Sequence, residues 1–231
     1  MATVTVYCPR CHSDEIYRHG RSTSQHERFR CRSCKRVFQL TYTYEARKPG
    51  VKEQIVDMAH NGSGVRDTAR TLKIGINTVI RGIKKLSPRR ITSSPVAHAD
   101  VALICELDEQ WSFVGSKARQ HWLWYAYNTK TGGVLAYTFG PRNDDTCREL
   151  LALLQPFNIG MITSDDWGSY AREVPKDKHL TGKIFTQRIE RNNLTLRTRI
   201  KRLARKTICF SRSIEVHEKV IGSFIEKHMF Y

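Results

Sequence analysis

Four cysteines near the amino terminus constrain the fold of this chain more than any other feature. They follow the pattern C-x2-C-x19-C-x2-C, with the cysteines at Cys8, Cys11, Cys31 and Cys34. Each C-x2-C pair places two thiolates on one side of a tight turn, and two such turns complete a tetrahedron around Zn²⁺. A disulfide framework is the alternative, but the first twenty residues hold no apolar signal segment that would support it.

The residues around these cysteines predict a small β-module. Segments 4–7 and 28–30 are expected to form short strands, and the whole of residues 1–48 is interpreted as a zinc ribbon. Three nearby histidines could compete as ligands, but with four well-spaced cysteines present they are predicted to lie on the surface; they are His12, His19 and His26. The other three cysteines occupy apolar contexts and are predicted to be inert core residues: Cys105, Cys147 and Cys209.

The charge of the chain indicates a polyanionic partner. Its 231 residues include 39 Lys and Arg against 22 Asp and Glu, for a net charge of +17, while a hydrophobic content of 40% indicates a folded protein. The positive charge falls in two regions, residues 1–95 with a net +12 and Lys183–Lys206 with nine basic residues and one acid. The chain contains no run of 18 apolar residues, so no membrane span is predicted. Nucleic acid is therefore the expected partner, and a cytoplasmic location is expected.

A helical DNA-binding module is predicted after the ribbon, over residues 49–86. The apolar pattern indicates one helix ending at Asn61-Gly62, a second over 65–72, and a third over 78–85 capped by Asn77. Two short helices joined by a glycine turn are typical of a helix-turn-helix, whose second helix enters the major groove. The side chains expected to face DNA are Thr78, Arg81, Lys84 and Lys85. A plain three-helix bundle with a basic surface is the alternative, and residues 87–99 are predicted to form a polar linker.

The order of elements in residues 100–231 indicates an α/β domain. Strands are predicted over 101–108, 122–127, 134–139 and 159–164, with helices over 145–155 and 186–205. A three-strand meander, helix, strand and helix is the order of the ribonuclease H-like fold. The predicted fold class is thus multidomain α+β: a small zinc ribbon, an all-α helix-turn-helix, and a ribonuclease H-like α/β catalytic domain. The aromatic cluster Trp111, Trp122, Trp124 and Tyr125 is interpreted as core packing.

Scattered carboxylates in this domain predict a divalent-metal site. An acid at the end of the first strand can meet one at the end of the fourth, and Glu190, the lone acid of a basic helix, can complete the set. Three converging carboxylates suit two Mg²⁺ or Mn²⁺ ions acting on a phosphodiester. Arg197 lies seven residues after Glu190 and so shares its helix face. The residues alone do not decide which acid of each group would bind the metal. Glu106 and Glu109 flank Asp108, and Asp166 adjoins Asp165, so the choice within each group stays open.

Three segments of the chain resemble the motifs of transposases from the insertion sequence 1 family: Glu106–Trp111, Ser164–Trp167 and Thr186–Leu194. The cysteine pattern and helix-turn-helix are similar to that family's DNA-binding half. The resemblance implies a catalytic and Mg²⁺-binding triad of Asp108, Asp165 and Glu190, with Arg197 as the basic residue that follows. It also implies recognition of terminal inverted repeats, strand cleavage, and transfer of 3′ ends into target DNA in a prokaryotic, nucleoid-associated setting.

Two other functions are consistent with the same residues. A transcriptional repressor would use the ribbon and helix-turn-helix with a degenerate second half, although acids at all three positions disfavour it. A metal-dependent nuclease without strand transfer would use the same carboxylates. Joining two element ends requires at least a dimer on DNA, which follows from the chemistry of the reaction and not from any sequence feature.

Overall fold

The zinc-ribbon module is a three-stranded antiparallel sheet. The computed structural model describes residues 5–42, 44–94, 102–204, 206 and 209–230. Strands β1 (Ile16–Arg21), β2 (Glu27–Cys31) and β3 (Val37–Phe38) lie in the order β1-β2-β3. The prediction of a strand over 28–30 is confirmed by β2. The prediction for 4–7 is wrong over residues 5–7, which form no strand, and Val4 lies outside the described residues.

Three short helices follow, as the sequence predicts. They are α1 (Val51–His60), α2 (Val65–Thr71) and α3 (Ile76–Lys84), packed around Ile55, Val79 and Ile83. The predicted cap at Asn77 is wrong, because Gly75 precedes the helix and its carbonyl accepts the N–H groups of Thr78 and Val79. Asn77 therefore lies inside the first turn.

A five-stranded mixed sheet forms the second half of the chain. Its strands are β4 (Leu103–Phe113), β5 (Gln120–Asn128), β6 (Gly133–Gly140), β7 (Ile159–Ser164) and β8 (His179–Thr181), in the order β6-β5-β4-β7-β8. The first three pair antiparallel, whereas β7 pairs parallel to β4 and β8 parallel to β7. This is the strand order and direction of the ribonuclease H-like fold, and it confirms the predicted fold class.

Two helices cover each face of this sheet. Helices α4 (Asp144–Leu154) and α5 (Gly168–Glu173) pack on the face that carries Leu107 and Trp124. Helices α6 (Gln187–Arg199) and α7 (Ile214–His228) pack on the opposite face, which carries Tyr125 and Tyr137. Among the described residues no helix combines the length and apolar character that crossing a membrane requires.

Several element boundaries differ from the sequence prediction. Strand β4 continues to Phe113, so Asp108 lies within the strand and not at its end. Helix α6 ends at Arg199, where Ile200 turns to an extended conformation, and a short 3-10 turn, Lys201–Leu203, follows. Of the three cysteines predicted to be core residues, Cys105 and Cys147 are buried, but Cys209 is half-buried.

The segment predicted as a polar linker lies along the edge of the sheet. The backbone N–H of Tyr137 in β6 donates to the carbonyl of Arg90 at 2.9 Å, and the N–H of Thr92 donates to Leu135 at 2.8 Å. The Arg90 guanidinium also binds Glu149 of α4 at 2.7 Å. These contacts cover the β6 edge that would otherwise present unpaired backbone groups. Residues 95–99 of the predicted linker lie outside the described residues.

Helix α7 joins the helix-turn-helix to the catalytic domain. Val220 of α7 is fully buried among the apolar residues of α1 and α3. Ion pairs of 2.8 Å flank it, Lys84 with Glu215 and Lys227 with Asp57. Gly62, at the end of α1, has a φ of +83°, and a Cβ there would lie 2.8 Å from the Cβ of Lys201. The helix-turn-helix therefore rests directly on the α/β domain.

Candidate active site

Asp108 lies on the face of β4 that α6 covers. Its Oδ1 accepts a hydrogen bond from the backbone N–H of Glu109 at 2.8 Å, and its Oδ2 accepts one from the side-chain amide of Asn193. Burial of the carboxyl, together with the negative charges of Glu109 and Asp165, raises the pKa of Asp108 to about 7. Within the described residues no cation pairs with it. A bound cation would favour its charged form.

Asp165 lies beside Asp108 because of the parallel register between β4 and β7. That register pairs Glu106 with Thr163, and the same offset carried two residues further sets Asp165 opposite Asp108. Asp165 follows the last residue of β7 and is exposed, and its Oδ1 accepts the backbone N–H of Trp167 at 3.1 Å. The two acids therefore lie at the end of β7, where β4 continues without β7 as its pairing partner.

Helix α6 carries the third acid and the basic residue toward the same strand. Glu190 lies in its first turn, is exposed, and accepts a weak hydrogen bond from the Thr186 hydroxyl at 3.5 Å. Arg197, two turns further on, is half-buried, and its Nε is buried without a hydrogen-bond partner among the described residues. Asn193 lies between them on the same helix face and contacts Asp108. Glu190 thus lies about one helical turn before Asn193, and Arg197 lies about one turn after it.

The three carboxylates are a suitable donor set for a hard divalent cation. Their oxygens do not form a closed cluster, since among the described residues only the four cysteines bring three or more ligand atoms within 4.8 Å of one another. The exposure of Asp165 and Glu190 leaves their oxygens accessible. The half-buried Arg197 side chain adds a cationic guanidinium that suits a phosphate oxygen. The residue chemistry therefore fits a metal-assisted phosphoryl site.

The acids next to Asp108 make contacts elsewhere. Glu109 points to the opposite face of the sheet, where it binds Arg142 at 2.6 Å and accepts the Tyr170 hydroxyl at 2.6 Å. Glu106 shares the face of Asp108, but its Oε2 accepts the backbone N–H of Ile189 in the first turn of α6. Burial raises the pKa of both carboxyls. Structural contacts thus occupy the two acids that flank Asp108.

The four cysteines of the ribbon have the geometry of a zinc site. The sulfurs of Cys8 and Cys34 are 3.5 Å apart, as are those of Cys11 and Cys31, and all four lie within 4.8 Å of one another. A Zn–S bond of 2.3 Å in a tetrahedron requires sulfurs about 3.8 Å apart. Backbone N–H groups, that of Cys34 foremost, lower the pKa of Cys31 to about 6, which favours the thiolate that binds zinc.

The two cysteine turns are built alike, which explains how the sequence forms the site. In each turn the N–H of the first cysteine donates at 2.9 Å to the carbonyl five residues later, Cys8 to Ser13 and Cys31 to Arg36. In each, the residue after the second cysteine has a positive φ, 56° and 60° for His12 and Lys35. None of the three nearby histidines belongs to the described metal-binding set.

The residues predicted to face DNA differ in their surroundings. Arg81 and Lys85 are exposed, and the Nε of Arg81 donates to the carbonyl of Asn77 at 3.2 Å. Thr78 is half-buried and shares a 3.1 Å hydrogen bond with the Tyr44 hydroxyl. Lys84 pairs with Glu215 of α7. Three of the four predicted side chains therefore already make contacts within the chain.

Comparison with known proteins identifies the family. Family models match three successive parts of the chain: the InsA N-terminal domain at residues 1–35, the InsA C-terminal domain at 42–87, and the IS1 transposase at 102–231. The last of these covers more than half of the chain. The chain belongs to the IS1 transposase family. Its zinc-ribbon, helix-turn-helix and transposase domains make DNA the partner of this enzyme.

Curated relatives of this IS1 transposase match its two halves separately. The InsB protein of insertion element iso-IS1n from Shigella dysenteriae is 93% identical over 131 residues, which is 57% of this chain and all of that relative. The iso-IS1N InsA protein of the same organism is 71% identical over 84 residues, 36% of this chain and 93% of the relative. An InsB protein of Escherichia coli K12 is 44% identical over 147 residues, 63% of this chain and 88% of the relative.

A solved structure with distant similarity is the simian T-cell lymphotropic virus intasome in complex with a phosphatase regulatory subunit. It matches with a TM-score of 0.34 and 15% identity over 63% of this chain and 59% of that chain. The fold assignment of the IS1 transposase rests on its own strand order and on the family match.

Sequence reasoning missed two residues of the site. Asn193 was not singled out, although its position three residues after Glu190 places it on the catalytic face of α6. Tyr125 was interpreted as core packing, and it is fully buried, but its hydroxyl donates to the amide oxygen of Asn193 at 2.9 Å. The helical spacing from Glu190 is the signal that could have found Asn193.

Proposed function

We propose that this chain cleaves DNA strands at the terminal inverted repeats of its element and joins the freed 3′-hydroxyls to target DNA. The observation that supports the proposal most directly is the convergence on one strand. The β4–β7 register sets Asp165 opposite Asp108, and α6, which carries Glu190 and Arg197, contacts Asp108 through Asn193. Membership of the IS1 transposase family supports the same reaction.

Each residue of this site has a distinct proposed role. Asp108, Asp165 and Glu190 would hold Mg²⁺ or Mn²⁺, which stabilises the attacking and leaving oxygens of a phosphodiester when bound. Arg197, which is half-buried, would bind a phosphate oxygen through its guanidinium and fix the DNA strand along α6. The reacting groups are water for cleavage and the DNA 3′-hydroxyl for joining, so no side chain is required as a nucleophile.

The other regions of the chain would deliver DNA to this site. We assign the zinc ribbon to residues 1–48, the helix-turn-helix to 49–86, a linker to 87–99 and the catalytic domain to 100–231. Arg81 and Lys85 are exposed on α3 and suit direct contact with inverted-repeat DNA, together with Thr78 and Lys84. Bringing two element ends together would take at least a dimer.

The experiment that tests this function is a Mg²⁺-dependent strand-transfer assay on labelled inverted-repeat DNA. Wild type is compared with Asp108→Asn, Asp165→Asn and Glu190→Gln, and DNA binding is measured in parallel. Asp166→Asn is the matched control, because Asp166 is an exposed acid adjacent to Asp165. We expect joined products to fall at least about a hundredfold in the three variants with binding retained, and the control to match wild type.

The alternative functions give different results in the same assay. Metal-dependent cleavage without joined products would indicate a nuclease. Specific binding without any metal-dependent chemistry would indicate a regulator. Loss of activity in Asp166→Asn with activity retained in Asp165→Asn would contradict the proposed triad.

A further inference from the structure

We propose that Asn193 is a positioning residue that sets the orientation of the Asp108 carboxylate for metal binding, and that Tyr125 sets the orientation of Asn193. This inference rests on the proposed function of the same site. It concerns two residues that carry no charge and that would not ligate the metal themselves.

The first step of the argument is the hydrogen bonding of Asp108. One carboxylate oxygen accepts the Glu109 N–H and the other accepts the Asn193 amide, so both oxygens are fixed. A carboxylate oxygen can accept more than one contact, and each oxygen of Asp108 keeps capacity for a cation. The two donors therefore fix the rotation of the carboxylate and leave it able to bind a metal.

The second step is the orientation of the Asn193 amide. An amide has a donor end and an acceptor end, and only the donor end stabilises a carboxylate. The single proton of the Tyr125 hydroxyl has two acceptors within reach, and the Asn193 oxygen at 2.9 Å is nearer than the Ile189 carbonyl at 3.2 Å. Donation to Asn193 turns the amide nitrogen toward Asp108. Tyr125 is the direct cross-strand neighbour of Asp108 on β5 and is fully buried. A flipped amide would place its oxygen against the Asp108 carboxylate, where two acceptors would meet.

The third step separates positioning from simple packing. Helix α6 is already attached to the sheet by the buried side chains of Ile189 and Leu196 and by the Glu106 contact to the Ile189 N–H. The Asn193 amide is not needed for that attachment. Its donor is directed to the acid that has no cationic partner in the described part of the chain. Residues that orient a metal ligand typically change metal affinity about 10- to 100-fold when removed.

The test measures Mn²⁺ affinity, which does not depend on catalysis. Free Mn²⁺ is followed by electron paramagnetic resonance during titration of the full chain bound to inverted-repeat DNA. Asn193→Leu, similar in size and without hydrogen-bonding groups, is expected to bind Mn²⁺ at least about tenfold more weakly. Tyr125→Phe keeps the packing and is expected to give a smaller weakening of a few fold. Thermal unfolding shows whether Asn193→Leu folds. If it does not, Tyr125→Phe alone tests the inference.

A control comes from the same helix. Thr195 is exposed, its hydroxyl donates to the Arg191 carbonyl at 3.2 Å, and it takes no part in the hydrogen bonds that link Tyr125, Asn193 and Asp108. Thr195→Ala is expected to bind Mn²⁺ like wild type. Equal Mn²⁺ affinity in wild type, Tyr125→Phe and folded Asn193→Leu would overturn the inference. If wild type binds Mn²⁺ more tightly than these variants but neither cleaves nor joins DNA, the proposed function fails while the positioning role stands.

Discussion

Single side chains on β4 have different roles because successive residues of a strand point to opposite faces. Asp108 faces α6 and the candidate metal site, whereas Glu109 faces α4 and α5 and pairs with Arg142. The Arg142 guanidinium in turn lies 4.4 Å from the centre of the Trp167 ring. Glu109 therefore belongs to a buried ion pair that stabilises the domain, although it adjoins the catalytic candidate in sequence.

Replacement of Glu109 is expected to affect stability. Glu109→Ala leaves the buried Tyr170 hydroxyl and the partly exposed Arg142 without their acceptor, and an unsatisfied buried polar group costs about 1 to 3 kcal/mol. Urea denaturation of the variant and wild type measures the difference in the free energy of unfolding. An unchanged unfolding free energy with a large loss of strand transfer would instead make Glu109 part of the chemistry.

The sequence indicates acids at this site without indicating their surroundings. Strand ends and the lone acid of a basic helix predict three converging carboxylates, and the resemblance to insertion sequence 1 transposases selects Asp108, Asp165 and Glu190 among the candidates. The role of Tyr125 could not be predicted, because its partner Asn193 lies 68 residues away in sequence. The full length of β4 was also missed, because the polar residues Gln110 and Ser112 resemble a strand end although both are buried.

At the level of elements, α7 determines how the DNA-binding and catalytic regions are joined. Val220 packs against the helix-turn-helix, while Ile221, Phe224 and Ile225 pack against the sheet. These residues follow the helical spacing of one wide apolar stripe, which predicts an amphipathic helix but not that one edge of the stripe contacts a second module. Its contacts to two modules could not be derived from periodicity alone.

Disruption of the α7 interface is expected to release the helix-turn-helix. Val220→Asp places a charge among the buried residues of α1 and α3, a change that costs about 3 kcal/mol or more. We expect faster proteolysis within residues 87–99 and a lower unfolding midpoint. Glu215→Gln is the control, because it removes only surface ion pairs with Lys84 and Lys219, each worth less than about 1 kcal/mol. Equal protease resistance of both variants would contradict the docking.

The same interface is expected to weaken in acid. Burial, with His228 and Lys227 adding positive charge, lowers the pKa of His60 to about 4, and its Nε2 lies 2.9 Å from the Ser223 hydroxyl of α7. The unfolded chain binds this proton below about pH 6.5 and the folded chain only below about pH 4, so stability falls as the pH drops through that window. Asp57 and Arg202 also act on this imidazole.

The expected size of the effect is about 2 kcal/mol between pH 7 and pH 5. Urea denaturation at the two pH values measures it, and His60→Gln is expected to lose that part of the pH dependence. Burial also lowers the pKa of His217 to about 3. His217 therefore adds a similar pH dependence of stability to wild type and to His60→Gln. An identical pH dependence in wild type and His60→Gln would show that His60 is not the responsible group.

At the level of the whole molecule, the chain combines two basic regions with an acidic site. The amino-terminal 95 residues carry a net charge of +12 and the Lys183–Lys206 segment a net charge of +8, so the remaining residues carry a net charge of −3. The order of ribbon, helix-turn-helix and ribonuclease H-like domain was predictable from cysteine spacing and element order. How closely the modules pack was not, because the predicted linker residues looked polar while Arg90 and Thr92 pair with β6.

DNA binding is expected to weaken steeply with salt because it releases counterions from phosphates. Arg81→Ala and Lys85→Ala are each expected to reduce the slope of log affinity against log salt by about one. Lys84→Ala is expected to reduce it less, because Lys84 is paired with Glu215. Fluorescence anisotropy on inverted-repeat DNA at several salt concentrations measures the slopes. A larger reduction for Lys84 than for Arg81 would contradict the assigned DNA-facing surface.

The most direct test of the triad is metal-specificity rescue of strand transfer. Cysteine replaces Asp108, Asp165 or Glu190 in turn, and joining is measured in Mg²⁺ and in Mn²⁺, which accepts the softer thiolate more readily. We predict that each variant loses joining by at least about a hundredfold in Mg²⁺ and regains part of it in Mn²⁺, while Asp166→Cys matches wild type in both metals. Full joining in Mg²⁺ by any of the three variants would contradict a site built from these carboxylates.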